Sequence, residues 1–400
     1  MEANKKEQIE IVLNRGVSAI YPSKKDVLEM LSQNKKLTIY AGFDPTGPTL
    51  HLGHAISLLK LKDLQDIGHK IIFLIGDFTA MIGDPTDKSA TRQKLTKKEI
   101  IHNLKEYKKQ ASKIINFSGK NSAEIKFNSK WLGKMNFNDV LELTSLMTVG
   151  QMIERDMFQK RMEEGKPIFL HEFLYPLMQG YDSVAMKVDG EVGGNDQIFN
   201  MLVGRDLVKS ILGKEKFVIA NALLTDGSGK KMGKTEGNML ALSDTHENMF
   251  GKVMSWSDDM IIKGFELCTR IPFSEIESIK KGLEKNTLHP KHAKVQLALT
   301  IVTMFYGEKK AIQAHDLWEE TFSKGGIPEN VEEIICKEGD KLIDIFSENN
   351  IVSSKTEFRR LTETGSITHM ESGDKINNES KSLEGTYKIG KKKFVKIKNK

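Results

Sequence analysis

The stretch from Tyr40 to His54 limits the possible folds of this 400-residue chain more than any other segment. It reads Tyr-Ala-Gly-Phe-Asp-Pro-Thr-Gly-Pro-Thr-Leu-His-Leu-Gly-His. Apolar residues over 37–43 predict a short strand, and Pro45 and Pro48 exclude helix until about Thr49. The segment therefore predicts a strand, a Gly/Pro turn and then a helix that begins beside two histidines.

The helix after this turn has an apolar face and a polar first turn. Leu52, Ile56 and Leu59 recur at helical spacing, while His51 and His54 share one face. Free backbone N–H groups and the positive end of the helix dipole favour an anion such as phosphate there. Two histidines at this spacing are also common as surface residues or as half of a metal site, so the pair alone leaves these interpretations open.

A glycine-rich segment far downstream supplies cations. Residues 223–235 read Leu-Leu-Thr-Asp-Gly-Ser-Gly-Lys-Lys-Met-Gly-Lys-Thr and present Lys230, Lys231 and Lys234. Lysines on such a loop can hold a polyphosphate, although a lysine-rich loop is more commonly a solvated turn. Together, HLGH and KMGKT resemble the two signature motifs of class I aminoacyl-tRNA synthetases, usually written HIGH and KMSKS. The resemblance implies a Rossmann-like catalytic domain that uses ATP as a substrate.

Length and composition are those of an ordinary protein with two or three domains. Hydrophobic residues make up 39% and charged residues 28% of the chain, and no apolar run reaches the roughly 18 residues of a membrane span. The first residues are polar and do not resemble a signal peptide, so we expect a cytoplasmic chain without a membrane partner. Cys268 and Cys336 have neither CxxC spacing nor a histidine cluster nearby, which argues against disulfides and a protein-built metal site.

The first 235 residues predict alternating strands and helices, as in a parallel sheet of Rossmann type. The predicted elements are a helical region over 5–36 with a break at 21–23, a buried strand over 70–76, an amphipathic helix over 97–117, a strand over 125–128, a helical stretch over 139–164 and a buried strand over 185–188. Ligands of such sheets bind at the carboxyl ends of the strands. By this rule, we expect the segments at 76–79 and 81–86 to lie close to the turn that contains His51 and His54, called the histidine turn below.

A second polar cluster lies between residues 167 and 200. Tyr175, Gln179 and Asp182 are spaced at i, i+4 and i+7 and share one face of a predicted helix, for which simple surface exposure is the alternative. The Gly-Gly-Asn-Asp-Gln segment at 193–197 follows a predicted strand, and its glycines would let the backbone approach a ribose closely.

Six segments in this order resemble bacterial tyrosyl-tRNA synthetases over nearly the whole chain: Tyr40 with GFDPT, HLGH, IGDPT, the Tyr175/Gln179/Asp182 face, GGNDQ and KMGKT. For L-tyrosine, the resemblance implies contacts of Tyr40 and Asp182 with the phenol, of Asp84, Tyr175 and Gln179 with the α-amino group, and of Gln197 with the carboxylate region. For ATP, it implies contacts of Gly42, Asp44, Gly194 and Asp196 with the AMP portion, of Thr46, His51 and His54 with the phosphates, and of Lys231 and Lys234 with the leaving pyrophosphate. Ala41 and Glu191 stand where some relatives have other residues, which argues against a side-chain contact from position 41 to the ribose.

The implied chemistry needs charge stabilisation and no protein nucleophile. The carboxylate of tyrosine is already ionised when it attacks the α-phosphorus of ATP, so no general base is required. The predicted catalytic groups would stabilise the charge of the transition state together with Mg²⁺ on ATP, and they are Thr46, His51, His54, Lys231 and Lys234. The tyrosyl group would then pass to the terminal ribose of tRNA(Tyr).

The sequence pattern changes after Thr235 from alternating strands and helices to helices alone. Helical patterning without strand signals over 245–325 resembles the anticodon-contacting part of the family, and glycines and a proline over 325–328 suggest a linker. The predicted fold is therefore an α/β, Rossmann-like parallel-sheet catalytic domain, then an α-helical domain, then a small α+β S4-like RNA-binding domain. The predicted boundaries are 1–235, 236–327, a linker at 328–340, and 341–400.

The C-terminal 60 residues account for +5 of the formal net charge of +6. Residues 341–400 contain 13 Lys and Arg against 8 Asp and Glu, which suggests a polyanionic partner. Lys355, Arg359, Arg360 and the lysines at 391–393 are the predicted RNA contacts. A lysine-rich end can alternatively be only a solubilising tail.

Three functions are consistent with the sequence: a tyrosine-specific synthetase, a tryptophan-specific synthetase of the same fold, and a non-catalytic RNA-binding derivative. Tyr40 with Asp182 favours the first, because a phenol needs paired polar partners whereas an indole needs one acceptor. Intact HLGH, KMGKT and Asp84 argue against the third. The family resemblance also implies a homodimer, and the apolar residues over 139–164 suit either a core or a dimer seam.

Overall fold

The computed structural model describes residues 2–33, 35–84, 97–226, 229, 232, 239–323, 331–390 and 393–399. The chain forms two compact units, Met1–Ala311 and Ile312–Lys400. Each unit has a β-sheet of its own.

The described strands of the first unit are β1 (Val17–Tyr21), β2 (Thr38–Phe43), β3 (Lys70–Ile75), β4 (Glu124–Phe127), β5 (Gly190–Gly194) and β6 (Phe217–Asn221). Their order is β1-β6-β5-β2-β3-β4, and each neighbouring pair is parallel except β1 with β6. Strands β3 and β6 are buried along nearly their whole length, as expected for a parallel sheet covered by helices on both faces. The predicted Rossmann-like sheet is confirmed.

The helices described in this unit are α1 (Glu2–Asn14), α2 (Lys24–Ser32), α3 (Leu52–Asp66), α4 (Lys97–Ala111), α5 (Ser129–Leu132), α6 (Phe137–Ser145), α7 (Val149–Ile153), α8 (Asp156–Glu163), α9 (Leu170–Met186), α10 (Ile198–Leu212), α11 (His246–Met254), α12 (Met260–Cys268), α13 (Phe273–Glu284) and α14 (Pro290–Tyr306). Helix α15 (Glu308–Trp318) crosses the boundary between the units. Helix α9 packs along α10, and α11 and α12 pack on α14. The helical region predicted over 245–325 is present as α11 to α15.

The predicted helical region over 5–36 is correct at both ends and wrong in the middle. Helices α1 and α2 flank β1, which pairs antiparallel with β6 at the edge of the sheet and places Ile20 opposite Ile219. A five-residue strand of mixed character has too few residues to show a period of its own. Its hydrogen bonds to a distant strand decide its conformation.

The predicted strand over 185–188 is also wrong. Helix α9 continues to Met186, Lys187 ends it in a left-handed conformation with φ of 52°, and β5 begins only at Gly190. A short apolar run cannot by itself distinguish a strand from the end of a buried helix. These residues belong to a helix because α9 packs along α10.

The second unit is a small α+β unit. It contains β7 (Glu332–Cys336), α16 (Leu342–Glu348), α17 (Lys355–Glu363), β8 (Ile367–His369), β9 (Gly385–Ile389) and β10 (Lys393–Asn399), and its sheet order is β7-β10-β9-β8. Strand β7 lies in the range assigned to the linker and pairs parallel with β10. Leu342, Phe346, Phe358 and Tyr387 are fully buried in its core. No helix in the described part of either unit is long and apolar enough to cross a membrane.

Candidate active site

A cavity of about 590 Å³ opens at the carboxyl ends of β2, β3, β5 and β6. The strands converge there because every crossover between them is parallel, so their carboxyl ends meet at one edge. Thirteen residues predicted from the sequence line this cavity: Tyr40, Gly42, Asp44, Thr46, His51, His54, Asp84, Tyr175, Gln179, Asp182, Gly194, Asp196 and Gln197. Lys231 and Lys234 lie outside the described residues.

The histidine turn forms one wall of the cavity. The side chain of His54 accepts a hydrogen bond from the backbone N–H of His51 (3.2 Å), and the two rings stack with centroids 3.8 Å apart. A Cβ atom on Gly53 would lie 2.9 Å from the His51 ring, so only glycine fits here without a shift. The turn therefore presents two imidazoles at the positive end of the α3 dipole, a combination that suits phosphate.

The deepest end of the cavity contains Tyr40 and Asp182, both almost completely buried. Asp182 accepts hydrogen bonds from Trp131 Nε1 (2.7 Å) and Asn128 Nδ2 (3.3 Å). Burial raises the pKa of the Asp182 carboxyl well above its usual range, while these two hydrogen bonds act in the opposite direction. Burial, reinforced by the charges of Glu191 and Asp182, also raises the pKa of Tyr40, which keeps its hydroxyl protonated.

Asp84 forms the next polar group along the cavity. It accepts hydrogen bonds from Arg155 Nη2 (2.9 Å) and Gln197 Nε2 (2.7 Å). The buried Asn200 donates to Gln197 Oε1 (3.0 Å) and to Gln179 Oε1 (2.9 Å), and so sets the orientation of both amides. The structure thus joins three residues predicted to contact the tyrosine main chain.

Tyr175 belongs to a different cluster. Its hydroxyl donates to Asp44 Oδ2 (2.8 Å), and Thr79 donates to Asp44 Oδ1 (2.7 Å). Burial raises the pKa of Tyr175, and the charges of Asp44 and Asp84 add to this effect. A Cβ atom on Gly76 would lie 1.9 Å from Asp44 Oδ1, so glycine at the end of β3 makes room for this carboxylate. Tyr175 accordingly holds Asp44 in the structure.

A buried ion pair lies beneath the Tyr40 end. Lys216, fully buried, pairs with Glu191 and donates to Ser183 Oγ (2.9 Å), while Tyr40 Oη lies 2.9 Å from the same Ser183 Oγ. Gln179 donates to Glu191 Oε1 (3.2 Å). Burial lowers the pKa of Lys216, although the Glu191 carboxylate opposes this effect.

Sequence reasoning missed six residues that hold the predicted ones in place: Asn128, Trp131, Arg155, Ser183, Asn200 and Lys216. Ser183 and Asn200 stand beside predicted residues, so a helical-face argument could have found them. Trp131 lies in α5, and the other three immediately precede α5, α8 and β6, which no local motif connects with the site. Among the described residues, no group of three or more His, Cys, Asp or Glu side chains is arranged to hold a metal ion.

The predicted RNA contacts lie in the second unit on α17. Arg359 and Arg360 are exposed, whereas Lys355 forms an ion pair with Asp344 (2.6 Å). Lys391 and Lys392 lie outside the described residues.

A parallel sheet with a His-Leu-Gly-His turn at the carboxyl ends of its strands defines the architecture of a class I synthetase. The family model for tRNA synthetases class I (W and Y) matches residues 32–323. A tyrosine–tRNA ligase from Desulfotalea psychrophila is 41% identical over 402 residues, which is 98% of each chain, and one from Thermotoga maritima is 39% identical over 98% of this chain and 97% of its own. The chain belongs to this class I family of tryptophan- and tyrosine-type tRNA synthetases, and membership implies that it uses ATP for aminoacylation.

Solved structures agree on the fold. A truncated mitochondrial tyrosyl-tRNA synthetase from Coccidioides posadasii superimposes with a TM-score of 0.64 at 24% identity, over 79% of this chain and 96% of that one. A tyrosyl-tRNA synthetase from Archaeoglobus fulgidus, complexed with L-tyrosine, gives a TM-score of 0.60 at 20% identity over 78% of this chain and 99% of that one.

Proposed function

We propose that this chain is a tyrosine–tRNA ligase, which activates L-tyrosine with ATP and then transfers it to tRNA(Tyr). The observation that supports the amino acid most directly is the pairing of Tyr40 and Asp182 at the closed end of the cavity. A phenolic hydroxyl can satisfy both groups at once. An indole has one N–H donor and no acceptor, so tryptophan would leave one of the two groups buried without a partner.

The order of groups along the cavity suits the rest of the amino acid. Asp84 would bind the α-amino group, together with Gln179 and Tyr175, and Gln197 would contact the carboxylate region. Arg155 and Gln197 orient the two oxygens of Asp84, which would accept hydrogen bonds from the α-amino group.

The nucleotide would occupy the part of the cavity nearer to α3. Gly42, Gly194, Asp44 and Asp196 line the wall beside the histidine turn and would contact the AMP portion. In activation, a carboxylate oxygen of tyrosine forms a bond to the α-phosphorus and the bond to the β-phosphate breaks, which releases pyrophosphate. His51, His54 and Thr46 would stabilise the added negative charge, in the manner of preorganised electrostatic catalysis.

Lys231, Lys234 and Mg²⁺ would assist departure of pyrophosphate. Mg²⁺ commonly reaches such sites on substrate phosphates with few protein ligands, and Asp44 and Asp196 offer hard oxygen donors on the same wall. The ion would neutralise phosphate charge when bound.

For tRNA, we assign the helical region after Thr235 to anticodon contacts and the C-terminal unit to an S4-like RNA-binding role. The exposed arginines Arg359 and Arg360 on α17 support this role, because guanidinium groups bind phosphates well. The proposed domains are 1–235, 236–327 and 341–400, and β7, within the range 328–340 predicted as a linker, belongs to the sheet of the last one. A cytoplasmic location suits an enzyme that acts on tRNA.

We also propose that the chain forms a homodimer. Large apolar side chains are exposed from α6 to the start of α9, including Phe137 at 76%, Val149 at 65% and Leu170 at 83%. These helices pack around one core cluster with α9 and α10, so the exposed side chains belong to a single structural region. Exposed apolar surface of this extent is typical of a protein interface, and a second copy of the chain is the proposed occupant.

Amino-acid-dependent exchange of pyrophosphate into ATP tests the function. Tyrosine should support exchange, whereas tryptophan and phenylalanine should not at equal concentration. Exchange with tryptophan alone would identify a tryptophan-specific synthetase of the same fold. The absence of exchange with all amino acids, together with intact tRNA binding, would favour a non-catalytic RNA-binding protein.

A further inference from the structure

One face of α4 carries three buried polar side chains that reach the Gly/Pro turn between β2 and α3. They are spaced at i, i+4 and i+7, and they are Asn103, Tyr107 and Gln110. Asn103 Nδ2 donates to the Pro45 carbonyl (2.8 Å), and the Tyr107 hydroxyl donates to the Asp44 carbonyl (3.3 Å). Buried polar side chains need hydrogen-bond partners, and here the backbone of the turn supplies them.

Gln110 uses both ends of its amide on this turn. Its Nε2 donates to the Pro48 carbonyl (2.9 Å), and its Oε1 accepts from the Leu50 N–H (2.8 Å). Leu50 is fully buried, so water cannot replace Gln110 as the acceptor of this N–H unless the chain shifts. The prolines of the turn have no N–H to contribute to hydrogen bonds within it. The conformation of the turn therefore depends on α4.

The peptide that Gln110 holds leads directly into the histidine turn. The Leu50 carbonyl accepts from a backbone N–H of the segment 240–242 (2.8 Å), and the Leu52 N–H donates to a backbone carbonyl of the same segment (2.9 Å). Together with the Gln110 hydrogen bond, these contacts hold the backbone on both sides of His51. The position of the His51 imidazole in the cavity thus depends on Gln110.

We propose that Gln110 and Asn103 are positioning residues for the activation step, which hold the Gly/Pro turn so that Thr46 and His51 meet the phosphates of ATP. This inference rests on the proposed function and deepens it. Thr46 lies between the two proline carbonyls that α4 holds, and both Thr46 and His51 line the cavity. Gln110 and Asn103 act through the backbone of the turn, since their hydrogen bonds go to that backbone.

Gln110→Met tests the proposal because it removes both hydrogen bonds and nearly keeps the side-chain volume. The buried Leu50 N–H then has to find another acceptor, which displaces the turn. We expect single-turnover formation of tyrosyl-adenylate at saturating ATP to slow at least about tenfold, since a displacement of about 1 Å can cost roughly a hundredfold. Tyrosine affinity, measured by equilibrium dialysis, should stay nearly unchanged, because other partners hold Tyr40 and Asp182.

Gln65→Met is the matched control. Gln65 is as buried as Gln110 and also joins backbone groups: it donates to the carbonyls of Asn116 and Asn121 (both 2.8 Å) and accepts from the Asn116 N–H (3.1 Å). It lies in the last turn of α3, at the opposite end from the histidine turn. Both variants should lose thermal stability, but Gln65→Met should form adenylate at the parental rate.

Asn103→Leu reaches the same turn without changing Gln110. It removes the donor to the Pro45 carbonyl and should slow adenylate formation by roughly fivefold, because one hydrogen bond is lost and not two. Tyrosine affinity should again stay nearly unchanged. This variant keeps the proposal testable if Gln110→Met does not fold.

Two results would overturn the proposal. One is a parental rate of adenylate formation in whichever of Gln110→Met and Asn103→Leu folds. The other is slowing that Gln65→Met shares at an equal loss of thermal stability, or that an equal loss of tyrosine affinity accompanies, since either would show a general weakening of the unit. Failure of the proposed function is distinguishable, because the parent itself would then show no tyrosine-dependent exchange.

Discussion

Trp131→Phe provides a sharp test of the proposal that Asp182 recognises the phenol of tyrosine. The change removes the indole N–H that donates to Asp182 Oδ1 at 2.7 Å and leaves the weaker Asn128 contact at 3.3 Å. A hydrogen bond to a charged group contributes about 2 kcal/mol, which corresponds to roughly a thirtyfold change in an equilibrium. We therefore expect the preference for tyrosine over phenylalanine to fall by roughly that factor.

The loss of exchange activity on acidification should shift to higher pH in Trp131→Phe. Burial already raises the pKa of Asp182, and the Trp131 hydrogen bond opposes that rise. Its loss raises the pKa further. Because the ionised carboxylate is the better acceptor for the phenol, the activity that disappears on acidification should disappear at higher pH in Trp131→Phe than in the parent.

The assay is tyrosine- and phenylalanine-dependent ATP–pyrophosphate exchange, measured as kcat/KM across a pH series. Trp256→Phe is the matched control, since Trp256 lies between α11 and α12 and donates no hydrogen bond to Asp182. A Trp131→Phe variant that keeps both the parental preference for tyrosine and the parental acid limb would refute the assignment of Asp182 as an acceptor held by Trp131.

Three further predictions concern the other parts of the molecule. His51→Ala or His54→Ala should slow adenylate formation about a hundredfold for the better-placed histidine, with tyrosine affinity nearly unchanged, and unaltered single-turnover activation in both would contradict a phosphate role. Arg359→Gln with Arg360→Gln should leave exchange intact, weaken tRNA charging and lower the salt dependence of tRNA binding by roughly 1.5 in logarithmic slope, whereas equal slopes would exclude phosphate contacts there. Leu170→Glu should shift the chain toward monomer in sedimentation, and an unchanged mass would place the interface elsewhere.

Short-range features of the fold could be predicted from the sequence because they depend on neighbouring residues. The apolar run of β3 and the Gly/Pro turn before α3 are such features, and both are present as expected. The errors at β1 and at 185–188 have a common cause. In each case the conformation of a short segment depends on a distant partner: β6 for the strand, and α10 for the end of α9.

The candidate site likewise contains residues that local motifs predict and residues that depend on distant partners. Residues within recognisable motifs, such as His51, Asp84 and Asp182, were predicted by number and do line one cavity. Their roles as ligands of tyrosine and ATP remain proposals. Trp131 and Lys216 could not be predicted, because the site residues that they contact, Asp182 and Glu191, lie at least 25 residues away along the chain.

The sequence by itself determined the family, the parallel sheet and the groups that face the cavity, since local patterns and ordered motifs suffice for these. The tertiary structure decided which buried partners hold those groups in place. These partners come from distant parts of the chain: Trp131 donates to Asp182, and Lys216 donates to Ser183, which lies within hydrogen-bond distance of Tyr40. The arrangement of Tyr40 and Asp182 is therefore a property of the packed core, where desolvation makes each buried polar group depend on its hydrogen-bond partners.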